Sequence, residues 1–205
     1  MINTITNDPI SRTFVTHPCV WWDNMFTADE IALLNNYFSK QGTDNAGIGG
    51  TNQIDPAIRN SKIKIHMPLP DNQWIFDRFN LAMQQINNNF YGFDLTGYPF
   101  IQYGEYHSTD SGHYDWHIDM SLGERPIDTI LQTRKLSFTF LLNEPNVDFV
   151  GGELQIATHL KEVITTESLK GRIIAFPSWI NHRVAPVTKG IRKSLVIWGL
   201  GPKFK

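Results

Sequence analysis

Cysteine is almost missing from this sequence. Cys19 is the only one in 205 residues, so no disulfide can form within the chain and no thiolate cluster can hold a metal. That excludes the disulfide-stapled scaffolds and suits a reducing compartment. Long hydrophobic runs are missing too. No apolar stretch approaches the roughly 18–20 residues of a membrane-crossing helix, so no membrane partner is expected. Charge is sparse and balanced: charged residues make up 19% and the formal net charge is −2. A protein that neutralises many phosphates normally carries a basic stripe, and here nucleic acid is not an expected partner. No glycine-rich loop joins a strand to a helix, which disfavours the nucleotide-binding α/β folds. The stretch Met1 to Pro9 has neither the basic start nor the apolar centre of a signal peptide, so a cytoplasmic location is expected. Internal repeats and low-complexity tracts are absent.

What is present is a globular composition, with 41% hydrophobic residues in a chain long enough to bury a core. One domain is expected over residues 1–205. Thr27-Ala28-Asp29-Glu30 forms a capping box, with Phe26 and Ile31 placed as a hydrophobic staple. Ile31, Leu34 and Phe38 then share a face, and the pattern predicts a helix over about 28–39. The stretch from Gln41 to Pro56 is rich in Gly, Asn and Thr and reads as a long mobile loop. Its part Thr43–Asn52 reads as either a lid over the site or a plain connector. A second helix is predicted from near Asp71, with Ile75, Phe79, Ala82, Met83, Ile86 and Phe90 at helical spacing and an end at Asn87-Asn88-Asn89. From Tyr98 the pattern turns to short strands, predicted near 99–106, 113–119, 135–143, 153–157, 172–176, 182–187 and 192–200. Such a run suggests an antiparallel sandwich or barrel with helices packed outside. Residues 1–97 are thus expected to be a helical support and mobile loop region, and 98–200 the β core.

The seven histidines hold the chemistry. Gly112-His113-Tyr114-Asp115-Trp116-His117-Ile118-Asp119 contains two His-x-Asp pairs, His113/Asp115 and His117/Asp119. In a strand, such a pair points both side chains to one face. One imidazole and one carboxylate there, with a distant histidine, make the facial triad of non-haem Fe(II) oxygenases. The signal is weak alone, since seven histidines among 20 acids give roughly 0.7 such pairs by chance. Composition does not choose between the pairs, because all four residues share one strand parity. Arg192, in a strand rich in Val and Ile, reads as a paired charge rather than a surface one. His17, His66, His107 and His159 read as ordinary surface or loop residues, Gly151-Gly152 as turn chemistry, and Trp198 as core or pocket wall.

The C-terminal stretch adds a specific signal. Gly171-Arg172-Ile173-Ile174-Ala175-Phe176-Pro177-Ser178, followed by His182-Arg183-Val184-Ala185-Pro186-Val187-Thr188-Lys189-Gly190, resembles the Fe(II)/2-oxoglutarate dioxygenase superfamily. The likeness is to its prolyl 4-hydroxylase-like branch and the PKHD-type hydroxylases of bacteria and phages. In those families a strand ending in Phe/Tyr-Pro-Ser leads to the distal iron histidine, and a basic residue stands ten positions later; here that residue is Arg192. Tyr106, Gly112, Tyr114, His117 and Asp119 fill the family's upstream positions. The gap from Tyr106 to His117 is a residue or two longer than usual, which keeps Tyr103 as the alternative to Tyr106. Arg134-Lys135-Leu136-Ser137 and Gly151-Gly152-Glu153-Leu154 match two further landmarks. The resemblance covers roughly residues 98–200.

The resemblance implies a double-stranded β-helix, or jelly roll: a mainly β, α+β fold buttressed by the N-terminal helices. It implies that His117, Asp119 and His182 ligate Fe(II), leaving positions for 2-oxoglutarate and O₂, with ascorbate as reductant. Arg192 would grip the far carboxylate of 2-oxoglutarate through a planar fork, and Tyr106 would donate to the same group. Lys193 should point the other way and be solvated. The implied reaction releases succinate and CO₂ and hydroxylates a prolyl or other side chain of a peptide or protein. One alternative keeps the chemistry on a nucleobase or small molecule. The superfamily's nucleic-acid demethylases carry a second Arg six residues past the first, where this chain has Trp198. A non-catalytic jelly-roll binding module is the other alternative, and the intact triad argues against it. Halogenases give up the carboxylate ligand that Asp119 retains.

Overall fold

A computed structural model describes residues 17–48, 53–120, 132–158 and 162–203. Helix α1, Ala28–Ser39, starts on the expected capping box: the Thr27 hydroxyl accepts from the Glu30 amide, and the Glu30 carboxylate accepts from the Thr27 amide. Its buried face is Ile31, Leu34 and Phe38. Helix α2, Gln73–Ile86, begins two residues after Asp71. The delay has a cause in Asn72. Its side chain accepts from the Leu69 amide and donates to the Tyr37 hydroxyl and the Met67 carbonyl, which holds the preceding turn. The asparagine run does not end the winding as expected. The chain continues as a π-helical turn, Asn87–Tyr91, and stops at Gly92 with φ 62°. Asn87 stabilises this by bonding both the amide and the carbonyl of Phe93.

The larger sheet holds β1 (Val20–Trp22), β2 (Asp44–Asn45), β4 (Lys62–His66), β5 (Ile101–His107), β7 (Gln132–Leu141), β11 (Ile173–Pro177) and β13 (Val187–Pro202), with β8 (Phe149–Gly151) paired to the start of β13. Its order is β1-β11-β7-β13-β5-β4-β2. The smaller sheet holds β3 (Arg59–Asn60), β6 (His113–His117), β9 (Leu154–Ala157), β10 (Val163–Thr165) and β12 (His182–Val184), in the order β10-β9-β12-β6-β3. Neighbouring strands run antiparallel. This is the jelly-roll type of architecture that the resemblance implied, with two sheets that do not close into one barrel.

Both helices lie on the larger sheet. Phe26, Phe79 and Phe140 meet ring to ring, joining the helical layer to β7, and Phe38 stacks on Tyr103 of β5. Each such ring removed from water contributes about 1.5–3 kcal/mol. This apolar face leaves the opposite face of the sheet free for a site.

The N-terminal part does more than support. It supplies β1, β3 and β4, and β2 falls inside the stretch read as loop. These strands are two to five residues long, too short for period-two alternation to announce them. Within Thr43–Asn52, residues 49–52 lie outside the described residues, as does His159.

Candidate active site

A cavity of about 490 Å³ opens between the sheets. From the smaller sheet Tyr114, His117 and His182 face it, and from the larger sheet Tyr106, Arg134, Arg192 and Trp198.

The choice between the two His-x-Asp pairs is made by a kink in β6. His182 lies opposite His117, but Val184 lies opposite Tyr114, so two steps along β12 face three along β6. This bulge breaks the alternation expected through Gly112–Asp119. It turns both Tyr114 and His117 toward the cavity. His113 and Asp115 do not line it: the His113 ring nitrogens lie 2.8 Å from the Ser111 carbonyl and 3.2 Å from the Ala57 carbonyl, and Asp115 is exposed.

Asp119 sits just past the end of β6. Its amide donates to the Ser178 carbonyl at 2.9 Å, and its carboxylate accepts from the Ser137 hydroxyl at 2.7 Å. Ser137 also lies 2.9 Å from the Ser178 hydroxyl. Each histidine is likewise held from behind. Nδ1 of His117 is 2.7 Å from the Asp115 carbonyl, and Nδ1 of His182 is 2.9 Å from the Ile180 carbonyl. A carbonyl only accepts, so each Nδ1 carries the proton and each Nε2 presents a lone pair. Nε2 of His117 lies 3.8 Å and Nε2 of His182 3.5 Å from the Asp119 carboxylate oxygens, and one ligand atom from each of the three residues falls within 4.8 Å of the others. Two imidazole nitrogens and a carboxylate on one side of a cavity suit a borderline divalent cation such as Fe(II).

The electrostatics keep His117 and Asp119 in their ligating forms. Burial pushes His117 down, the neighbouring His182 adds to it, and the group is held at about 3 despite the attraction of Asp119. Burial alone would raise Asp119, but His182, His117, Arg134 and the Ser137 hydroxyl outweigh it and hold the carboxyl at about 2. Both values lie below those of the unfolded chain, so the unfolded state binds more protons. Stability is therefore present at neutral pH and is lost as the pH falls, between about 6.5 and 3 for His117 and below about 4 for Asp119. The metal-free protein is expected to lose up to about 1.4 kcal/mol per pH unit through His117 in its window. Thermal melts from pH 7 to pH 4 should show this slope, and His117→Gln should flatten it.

Arg192 is 4% exposed and lines the same cavity. Its Nη1 donates to the Ser194 hydroxyl at 2.9 Å, while its Nε is buried with no partner among the described residues. Burial lowers its pKa, offset in part by Tyr106 and Glu153. A buried guanidinium with a donor to spare, beside a pocket, fits a carboxylate. Tyr106 is its register neighbour on β5, with the Arg192 carbon 5.5 Å from the ring centre. Tyr103 faces the helices instead, donating to Glu105 at 2.6 Å, and does not line the cavity. Lys193 points away from the cavity as alternation requires, but it bonds Ser39 of α1 at 3.2 Å rather than only water.

Other residues refine or correct their sequence reading. His66 is not a surface residue: it is 8% exposed and packs edge-on against Phe38. Trp198 is a cavity wall, with the Arg134 guanidinium 3.8 Å above its ring. Gly152, read as turn chemistry, has φ 69°, and a Cβ there would come within 2.8 Å of the Arg192 side chain. Ser137 and Ser178 were visible only as motif letters, because their partner Asp119 becomes a neighbour only in the fold.

Known proteins share sequence and fold with this chain. The family described as the 2OG-Fe(II) oxygenase superfamily matches residues 101–199. A PKHD-type hydroxylase of Xylella fastidiosa (strain M12) is 38% identical over 104 residues, covering 48% of this chain and 42% of that protein. A PKHD-type hydroxylase of Hyphomonas neptunium is 39% identical over 97 residues, covering 44% and 39%. The chain thus spans about two-fifths of the length of these curated relatives. Among solved structures, a Pseudomonas putida prolyl-4-hydroxylase aligns with TM-score 0.69 at 21% identity, covering 90% of this chain and 93% of that one. A Trichoplax adhaerens prolyl hydroxylase, solved with a hypoxia inducible factor peptide fragment, aligns with TM-score 0.71 at 18% identity, covering 90% and 84%. These structural likenesses concern the fold. The sequence matches make residues 101–199 similar to the 2OG-Fe(II) oxygenase superfamily.

Proposed function

We propose that this protein is an Fe(II)- and 2-oxoglutarate-dependent dioxygenase of the prolyl 4-hydroxylase-like, PKHD-type branch, acting on a prolyl or other side chain of a peptide or protein. The observation that carries the reading is one cavity holding both the His117, Asp119 and His182 donors and the buried Arg192 with an unpartnered Nε. In this reading those three residues hold the iron, and Arg192 with Tyr106 takes the far carboxylate of 2-oxoglutarate. When bound, iron, 2-oxoglutarate and O₂ supply the oxidising power that hydroxylates a C–H bond, with succinate and CO₂ as co-products.

The chain's own part is to bind, aim and shield. Ser137 holds the Asp119 carboxylate in one orientation, and the Asp115 and Ile180 carbonyls do the same for the two imidazoles. Phe138, Leu154 and Phe176 line the cavity with apolar surface and keep water from competing for the donors. Ascorbate would serve as the reductant that keeps iron in the ferrous state. A peptide substrate is supported by the peptide in the Trichoplax structure. A nucleobase is disfavoured by Trp198, which stands where the demethylases carry their second arginine. Among the described residues no helix is long and apolar enough to cross a membrane. A cytoplasmic location is part of the proposal and rests on the single cysteine, which suits a reducing compartment. The reading takes the helical layer and both sheets as one domain, since α1 and α2 bury their apolar faces on the larger sheet.

The test is to incubate the protein with Fe(II), 2-oxoglutarate and ascorbate together with candidate peptides and host proteins. Mass spectrometry should find one added oxygen atom on a side chain. Oxidation of an oligonucleotide offered in parallel, with none on the peptides and proteins, would move the reading to the nucleic-acid branch. Gly152 offers an independent check. Gly152→Ala strains a backbone at φ 69° and presses on the Arg192 and Val187 side chains, while leaving the charge of Arg192 in place. We expect 2-oxoglutarate to bind about tenfold more weakly, corresponding to one charged hydrogen bond of about 1.5 kcal/mol, as read by calorimetric titration.

A further inference from the structure

The bulge in β6 builds a stack of three planar groups that ends on the site. The Tyr114 phenol lies 3.5 Å, centroid to centroid, from the His117 imidazole at an angle of 15°. The Arg59 guanidinium carbon lies 4.5 Å from the centre of the same phenol. An imidazole in van der Waals contact fills one face of a ring, so the guanidinium covers the other. Residues three apart in a regular strand point to opposite faces, and the bulge opposite His182–Val184 is what lets Tyr114 and His117 meet. Arg59 reaches the stack because β3 pairs with β6 in the register that sets Arg59 opposite Tyr114. The guanidinium is itself fixed: Nε donates to the Ser61 hydroxyl at 2.9 Å and Nη1 to the Gly47 carbonyl at 3.0 Å, and the residue is 7% exposed.

We propose that Arg59 and Tyr114 are positioning residues for the metal centre, the stack holding the His117 imidazole in the plane that aims its Nε2 at the point shared with Asp119 and His182. This rests on the reading of His117 as a metal ligand. The hydrogen bond from Nδ1 to the Asp115 carbonyl opposes rotation about the Cβ–Cγ bond, but as a single contact it leaves the ring able to rock about the Nδ1–oxygen line. A ring lying flat on it removes that freedom, and a cation on the far side of the phenol holds the phenol in turn. The Gly47 carbonyl that anchors Arg59 belongs to the Gly-rich stretch beside the cavity, where Asp44 and Asn45 also line the wall. The seating of that wall and the aim of His117 are therefore mechanically joined through Arg59.

Co(II) tests this without turnover, because its visible d–d bands report ligand geometry and its dissociation constant reports the ligand set. Partners that orient a metal-bound histidine from outside typically cost 10- to 100-fold in metal affinity when removed. Tyr114→Leu is expected to weaken Co(II) binding about tenfold and to shift the bands. Tyr114→Phe, which keeps the ring, should match the parent in both. Arg59→Met should change both in the same direction as Tyr114→Leu, by a smaller factor, and it decides the matter if the leucine variant does not fold. Folded variants of both residues with the parent's Co(II) spectrum and affinity would overturn the proposal, even if their melting temperatures fall. His117→Ala separates this from the underlying reading. If it binds Co(II) with the parent's spectrum and affinity, His117 is not a ligand, and the positioning role falls with it.

Discussion

Asp119→Ala, His117→Ala and His182→Ala are each expected to end 2-oxoglutarate turnover while leaving a folded protein. The three side chains meet within 4.8 Å, and no further His, Cys, Asp or Glu joins their group among the described residues, so the loss of one leaves only two donors. Even partners behind a ligand cost 10- to 100-fold in metal affinity, so removing a ligand should cost more than about 100-fold. Folding should survive, because the donors lie apart from the helix-facing core. His113→Ala and Asp115→Ala are the matched controls and should keep turnover near the parent's. Metal binding by equilibrium dialysis, read beside succinate formation, distinguishes lost ligands from lost fold. Loss in the His113 and Asp115 variants, with retention in the His117 and Asp119 variants, would reverse the assignment of the two pairs.

Arg192→Ala should act on the co-substrate rather than on the metal. The guanidinium is buried, already bonded to Ser194, and has a donor left over. A charged contact in such a shielded place contributes about 1.5–3 kcal/mol, or roughly 10- to 150-fold in 2-oxoglutarate affinity. Fe(II) affinity should be unchanged, since Arg192 is not a donor to the ion. Lys193→Ala should leave 2-oxoglutarate affinity alone, because Lys193 lies on the other face of β13 against Ser39. Titration calorimetry gives all three numbers, with 2-oxoglutarate added to the metal-loaded proteins and Fe(II) to the metal-free Arg192→Ala. Unchanged 2-oxoglutarate affinity in Arg192→Ala would remove its assigned role.

Several of these positions were legible in the sequence. The capping box of α1 is a local contact over three residues, and it formed as the sequence suggested. The long strands β5, β7 and β13 announced themselves through length and apolar content. The order of the motifs pointed to the superfamily. What could not be read was whatever depends on a partner distant in sequence. The bulge that separates His117 from His113 exists only where β6 meets β12. Ser137 becomes the support of Asp119, and Gly152 the clearance for Arg192, only once the sheets face each other. His66 looked polar and therefore exposed, yet the rings of Tyr37 and Phe38 enclose it. The strands β1 to β4 of the N-terminal part are set by pairing to larger neighbours, not by their own pattern.

The central claim is that one cavity couples iron, 2-oxoglutarate and O₂. It is tested most directly by following the conversion of isotopically labelled 2-oxoglutarate to succinate by the purified protein, with Fe(II) under air, with Fe(II) under argon, and with a chelator under air. The account predicts succinate only when iron and O₂ are both present, and none from Asp119→Ala. Succinate at the same rate without iron or without O₂, or none from metal-loaded parent protein under air, would contradict it.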